Sequence, residues 1–135
     1  MRIHKQLSVF LENRPGALSK LCGTLAEAGI NILALSVNDT VDHAVIRLIV
    51  DNNIKALMLI EQQGLYLNEQ DVVVVEVGNH PGVLSEVSQR LARADINIDY
   101  AYCAATEHQR EGCLVLKTDD VERTLQVLKE GQGFE

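Results

Sequence analysis

The sequence predicts an α+β fold: two similar units in tandem, each an antiparallel sheet with helices on one face. Three observations carry that expectation. The stretch Asn13–Ile32, NRPGALSKLCGTLAEAGINI, recurs 66 positions later as Asn79–Ile98, NHPGVLSEVSQRLARADINI. Each copy alternates the period-two apolar pattern of a strand with the 3.6-residue stripe of a helix. A length of 135 residues leaves each copy about 65 to 70, enough for one small unit.

The elements follow in order. His4–Glu12 alternates Leu7, Val9 and Leu11 with Ser8, Phe10 and Glu12, a strand with one face buried; Val73, Val75 and Val77 keep the same phase in copy two. After Pro15-Gly16, the residues Leu18, Leu21, Cys22, Leu25 and Ala28 form an amphipathic stripe, repeated as Leu84, Val87, Ser88, Leu91 and Ala94. Gly29 should end the first helix in a left-handed conformation. Asp95, which tolerates that conformation better than most residues, fills its slot in copy two. Ile30–Val37 and Ile96–Cys103 read as strands, followed by turns near 38–42 and 106–110 and by the strands Ala44–Val50 and Cys113–Leu116. Ile54, Leu57, Met58 and Glu61 mark a second helix, matched by Val121, Leu125 and Leu128. Leu65–Asn68 closes copy one as a short strand.

The order strand, helix, strand, strand, helix, strand is the split βαβ or ferredoxin-like arrangement. The expected domains are therefore residues 1–68 and 69–135, with the sheets free to join as one of eight strands. Copy two has only Gln132–Glu135 left after Gly131, so its last strand is very short, absent or supplied by a neighbour. Glu69–Asp71 is too short for a flexible tether. Units this small bury only about 60% of their unfolded surface, which favours tight packing between units and a homodimer.

Composition narrows the function. Apolar residues make up 47% and charged residues 23%, as in a folded chain with a real core. Twelve basic against nineteen acidic residues give a net charge of −7 with no basic run, so neither nucleic acid nor an anionic membrane surface is an expected partner. No apolar run reaches the length of a membrane span, and Leu7–Leu11 is too short for a signal sequence, so a cytoplasmic location is expected. Cys22, Cys103 and Cys113 form no CxxC pair and should be reduced thiols, with Cys103 and Cys113 on neighbouring strands. His4, His43, His80 and His108 share no metal-ligand spacing. Nucleophile-elbow, zincin, P-loop and dinucleotide fingerprints are absent, so no catalytic residue, cofactor or metal is expected.

A strand, then N-x-P-G-x-L-S, an amphipathic helix and I-N-I leading into a strand resemble the ACT domain, here twice. The likeness covers nearly the whole chain, and eleven of the twenty-one positions from Asn13 to Leu33 match Asn79 to Asp99, so it extends beyond the motif itself. The resemblance implies a regulatory module that binds an amino acid or similar small metabolite where two such domains meet, and that reports to an amino-acid metabolic enzyme in trans. It places ligand contacts at Asn13, Arg14, Pro15, Gly16, Ala17, Leu18, Asn31 and Ile32, and at Asn79, His80, Pro81, Gly82, Val83, Leu84, Asn97 and Ile98. In serine-sensing ACT domains the loop asparagine and the one opening the next strand hold the ligand across the interface. The histidine that those members carry two positions before the loop asparagine is Leu11 and Val77 here, which leaves the ligand open.

Residue chemistry points the same way. A helix start after Pro-Gly offers free N–H groups and partial positive charge to a carboxylate. An asparagine amide both donates and accepts without adding charge. The alternative for Asn13 and Asn79 is a cap or turn before proline. Asn31 and Asn97 open strands, where asparagine is depleted, although a backbone-bonded turn would also retain them. Strand two carries Leu33, Leu35 and Val37 in copy one but Asp99, Tyr100 and Tyr102 in copy two, predicting unequal sites; the alternative for the two tyrosines is packing under a helix or across a subunit boundary, the more frequent outcome for an aromatic pair at strand spacing. A second function class is a ligand-free interaction subunit.

Overall fold

Strand β1, Arg2–Glu12, opens the fold, followed by α1 (Ala17–Glu27), β2 (Ile32–Asp39), β3 (His43–Val50), α2 (Asn53–Gln62), β4 (Tyr66–Gly78), α3 (Val83–Arg93), β5 (Ile98–Ala104), β6 (Glu111–Thr118) and α4 (Val121–Lys129). The computed structural model describes residues 1–130. Six strands, not eight, are present among the described residues. The reason is that β1 and β4 are long and each is divided between two compact units: Lys5–Gln70, and Met1–His4 with the chain from Asp71 onward.

In the first unit the strand order is β2-β3-β1-β4, the ferredoxin-like order. Its core joins Leu7, Val9 and Leu11 of β1 to Ile46 and Leu48 of β3, Leu21 and Leu25 of α1, and Ala56 and Ile60 of α2. The side chains on β1 that were expected to be solvent-facing are not all so: Ser8 is buried opposite Arg47 in the register, and Gln6 beside it is buried too. Phe10 rests against Tyr66 with ring centroids 5.2 Å apart. On α2 the buried residues are Ala56 and Ile60, while the expected Ile54 and Met58 are 77% and 53% exposed. The i, i+3, i+4 pattern there fits either stripe. The small Ala56 side chain lets this face, and not the bulkier one, close on the sheet.

The second unit has the order β1-β4-β6-β5, with β1 contributing Arg2–His4. Its core gathers Val73, Val75 and Val77, Leu114 and Leu116, Val87 and Leu91, and Leu128, with Ile3 packed against it. The N-terminal residues thus supply an edge strand to this unit. The expected short strand in 132–135 lies outside the described residues. The boundary read at 68/69 falls by contacts at Gln70/Asp71, and Glu69–Asp71, read as a linker, is strand in the middle of β4. On α3 the buried stripe is Val83, Val87 and Leu91; Leu84, expected in it, is 51% exposed. Beneath α4 the hydroxyls of Thr118 and Thr124 lie 2.7 Å apart, both buried, and Thr124 also donates to Asp120 O.

Two bulges shift the sheet. Between Ile32 and Ala34, and again between Ile98 and Tyr100, the register slips by one residue. A slip of one residue turns every later side chain to the other face. Leu35 therefore stands opposite Leu48 and Val37 opposite Ile46, on the core side, and Ala101 and Cys103 stand likewise opposite Leu116 and Leu114. Tyr100 and Tyr102 face Lys117 and Val115 on the side away from the helices. The tyrosines are therefore not the counterparts of Leu35 and Val37: Ala101 takes the place of Leu35, and Cys103 that of Val37. Cys103 and Cys113 do lie on paired strands, but Cys103 is opposite Leu114 and Cys113 opposite Ala104, so they point to opposite faces, and both thiols are free.

Candidate functional site

The second helices, α2 and α4, are capped by their own chain: Asn52 Oδ1 accepts from the Lys55 N–H and Asp120 Oδ1 from the Arg123 N–H. The first helix of each unit is different. Helices α1 and α3 start from Gly16 and Gly82, both left-handed, with φ of 87° and 94°, and neither has a side-chain cap. Only glycine adopts that backbone without strain. The first helical bond of α3 is the one from the Glu86 N–H to Gly82 O, so the N–H groups of Val83, Leu84 and Ser85 precede it and have no helical acceptor. In α1 the corresponding bond joins the Lys20 N–H to Gly16 O, and the Ala17 N–H is taken by Arg14 O at 3.3 Å.

The loop asparagines do not cap these helices. Asn13 donates through Nδ2 to Thr40 O at 3.3 Å, and its N–H donates to Asp42 O. Asn79 donates through Nδ2 to both Thr106 O (2.9 Å) and Gln109 O (2.8 Å), while its N–H donates to Arg110 O. Each asparagine pins the helix-start loop to the adjacent β-turn. Both Nδ2 hydrogens of Asn79 are engaged and its amide oxygen remains to accept, whereas Asn13 spends one Nδ2 hydrogen on Thr40 O.

Asn31 and Asn97 are elsewhere. Asn31 directly precedes β2 and Thr40 directly follows it, so the two asparagines of copy one are near opposite ends of a strand about 26 Å long. Asn97 directly precedes β5 and is likewise remote from the turn that holds Asn79. The Asn31 N–H donates to Asp51 Oδ1 and its carbonyl accepts from the Asp51 N–H, the backbone-bonded turn weighed as the alternative. Asn97 Nδ2 donates to Asp99 Oδ1, and Asp99 Oδ2 lies 3.7 Å from Lys117 Nζ. A single unit therefore brings together Asn13 to Leu18, or Asn79 to Leu84, but not the second asparagine.

Two hollows flank the helix starts. One of about 200 Å³ adjoins the start of α1, lined by Leu11, Glu12, Arg14, Ala17 and Lys20, with Gln63 and Leu65 from the segment that follows α2. It is charged: Arg14 Nε sits 2.8 Å from Glu12 Oε2, both side chains solvent-exposed. The other, of about 320 Å³, lies between the N-terminal half of α3 and β5, with Leu84, Ser85, Val87 and Ser88 on the helix side and Ile98 and Ala101 on the strand side; Leu114 and Leu116 form its floor. His80, read as a loop contact, is exposed with Nδ1 3.1 Å from Pro81 O, and lines neither hollow. Sequence reasoning missed Ser85, Ser88 and Ala101 here and Glu12 and Lys20 in the first unit. Aligning the copies would have exposed the second hollow, because Ala101 replaces Leu35 and Ser88 replaces Cys22.

Burial raises the Cys103 thiol above its usual pKa. Burial also raises that of Cys113, helped by Cys103 and by Glu76, its cross-strand neighbour, and opposed by Arg2. No group of three or more metal-ligating side chains converges among the described residues, and no helix there is long and apolar enough to cross a membrane.

Fold and helix starts together define a tandem of ferredoxin-like modules with a repeated glycine-initiated helix. Residues 1–132 match the family described as the ACT domain pair, and the chain belongs to that family. A crystal structure of a protein from Bacteroides thetaiotaomicron is 32% identical, with a TM-score of 0.88, covering 95% of this chain and 88% of that one. The ligand-free regulatory subunit of aspartate kinase from Thermus thermophilus shares the fold at 22% identity, TM-score 0.71, over 99% of this chain and 96% of that one. The corresponding subunit from Thermus flavus does so at 19%, TM-score 0.65, over 93% and 92%. No curated protein matches the chain.

Proposed function

We infer that this protein is a regulatory module that binds an amino acid or a related small metabolite at the loop–helix starts and signals through assembly or contact with an enzyme in trans. One observation carries the reading: in a chain that caps α2 and α4 with its own side chains, α1 and α3 are left uncapped, each beside a hollow. Unsatisfied N–H groups at a helix start attract a carboxylate. Membership of the ACT domain pair family supports it, as does the fold shared with subunits that regulate aspartate kinase. An amino-acid metabolic enzyme is accordingly the proposed partner.

The separation of Asn13 from Asn31 bears on assembly. A ligand held by both kinds of asparagine needs residues from two copies of the chain, with the helix start of one copy near the strand opening of the other. The edge strand β2 carries Leu33, Leu35 and Val37, 46%, 42% and 46% exposed, an apolar strip suited to a homodimer contact. That same strip favours the second reading, an interaction subunit that takes no ligand. Thermal-shift and calorimetric screening against the twenty amino acids separates the two, with Asn31→Ala and Asn97→Ala as controls. A micromolar Kd, about 8 kcal/mol, is the expected scale. Absence of stabilisation by any amino acid refutes the sensing role and leaves the interaction subunit.

A further inference from the structure

We propose that the hollow between α3 and β5 is a side-chain pocket for an aliphatic amino acid, and that copy two is the liganded copy. The proposal rests on the sensing role inferred above and adds ligand class and site. Its volume of about 320 Å³ is at the small end of ligand pockets, which run roughly from 300 to 1,000 Å³. Its walls and floor are aliphatic, from Leu84, Val87, Ile98, Ala101, Leu114 and Leu116. The polar groups it meets are two serines and the helix start. Burial of an apolar side chain there is favourable, whereas a charged or amide side chain would be desolvated without partners.

The serines divide the ligand's backbone between them. Ser85 Oγ accepts from Gln89 Nε2 at 3.2 Å, which leaves its O–H to donate to a carboxylate, beside the N–H groups of Leu84 and Ser85. Ser88 Oγ donates to Ser85 O at 3.0 Å, which leaves its lone pairs to accept from an ammonium. Copy one lacks this arrangement. Leu35 takes the place of Ala101, Cys22 that of Ser88, and Leu18, unlike the exposed Leu84, packs against the core. The hollow flanking α1 is instead the charged one lined by Glu12, Arg14 and Lys20.

Calorimetry on the full chain tests the proposal, using leucine, isoleucine and methionine against serine and lysine, with 4-methylpentanoate and isoamylamine as analogues lacking one charge. The expected result is binding of the aliphatic amino acids at least about tenfold tighter than serine, weakened by loss of either charge. Ala101→Leu, which fills the pocket as copy one does, should weaken leucine by about tenfold or more with an unchanged far-UV circular dichroism spectrum. Met58→Ala, on exposed α2 surface, should leave binding as in the parent. Should Ala101→Leu fail to fold, Ala101→Val and Ser88→Cys supply graded losses. Preference for polar amino acids, or leucine binding untouched by all three pocket substitutions, overturns the pocket and spares the sensing role. A chain that binds no amino acid overturns both. If Ala101→Leu instead changes only the sedimenting mass, the hollow receives a second copy and the proposal fails.

Discussion

Replacing Asn79 measures what holds the helix-start loop in place. Its Nδ2 donates to Thr106 O and Gln109 O at 2.9 and 2.8 Å, whereas Asn13 makes one longer bond, 3.3 Å, to Thr40 O. A hydrogen bond of this kind contributes about 0.5–1.5 kcal/mol net, and the exposed setting favours the lower half, because freed carbonyls find water. Asn79→Ala should therefore cost about 1–2 kcal/mol and Asn13→Ala about 0.5 kcal/mol. With a urea slope of about 2 kcal/mol/M, the midpoint falls by roughly 0.5–1 M and roughly 0.25 M. Asn79→Asp goes further, since it sets a carboxylate oxygen against two carbonyl oxygens. A proton on that carboxyl restores one donor, so its folded-state pKa is raised above the unfolded value of about 3.9. The folded form then binds the proton more tightly, and the variant is most stable below that pH and weakens as pH rises through the shifted value. Urea titrations followed by far-UV circular dichroism across the acid range, with amide exchange at Asn79, give the measurement. Equal costs for Asn13→Ala and Asn79→Ala, or an Asn79→Asp variant no weaker at neutral than at acid pH, would refute the role of the tie.

Three further outcomes are expected. Thr124→Val should cost about 1–3 kcal/mol in denaturant titration because it strands the buried Thr118 hydroxyl, whereas the double change of Thr118 and Thr124 to Val should be milder than the sum of its parts. Asp95, left-handed at φ 58°, should be replaced by Gly with a gain of up to about 1 kcal/mol, and Gly29→Ala, at φ 73°, should lose about as much, both read as shifts of the thermal midpoint. Cys113 is raised by burial and by neighbouring Cys103 and Glu76, so the folded state favours the neutral thiol; stability is lost as pH rises above the ordinary thiol pKa, and Cys113→Ala should flatten that alkaline decline in a pH series of melts.

The repeated segment, read alone, determined the tandem of ferredoxin-like units, the helix starts after Pro15-Gly16 and Pro81-Gly82, and the left-handed ends at Gly29 and Asp95. These are local: a backbone angle or a period of 3.6 is set by a few neighbouring residues. Tertiary structure decided the rest. Which strand completes the second unit depends on Met1–His4, contributed from the far end of the sequence, and no local pattern encodes that pairing. The phase of β5 turns on a one-residue bulge after Ile98, which carries Ala101 to the core side and the tyrosines away from it. Likewise Leu84 fits a helical stripe by spacing yet is half exposed, because the strand opposite carries Ala101 where copy one has Leu35. Periodicity gives the direction of a side chain along its own element; whether that direction ends in a core, a hollow or solvent is fixed by the size of residues that meet it from elsewhere.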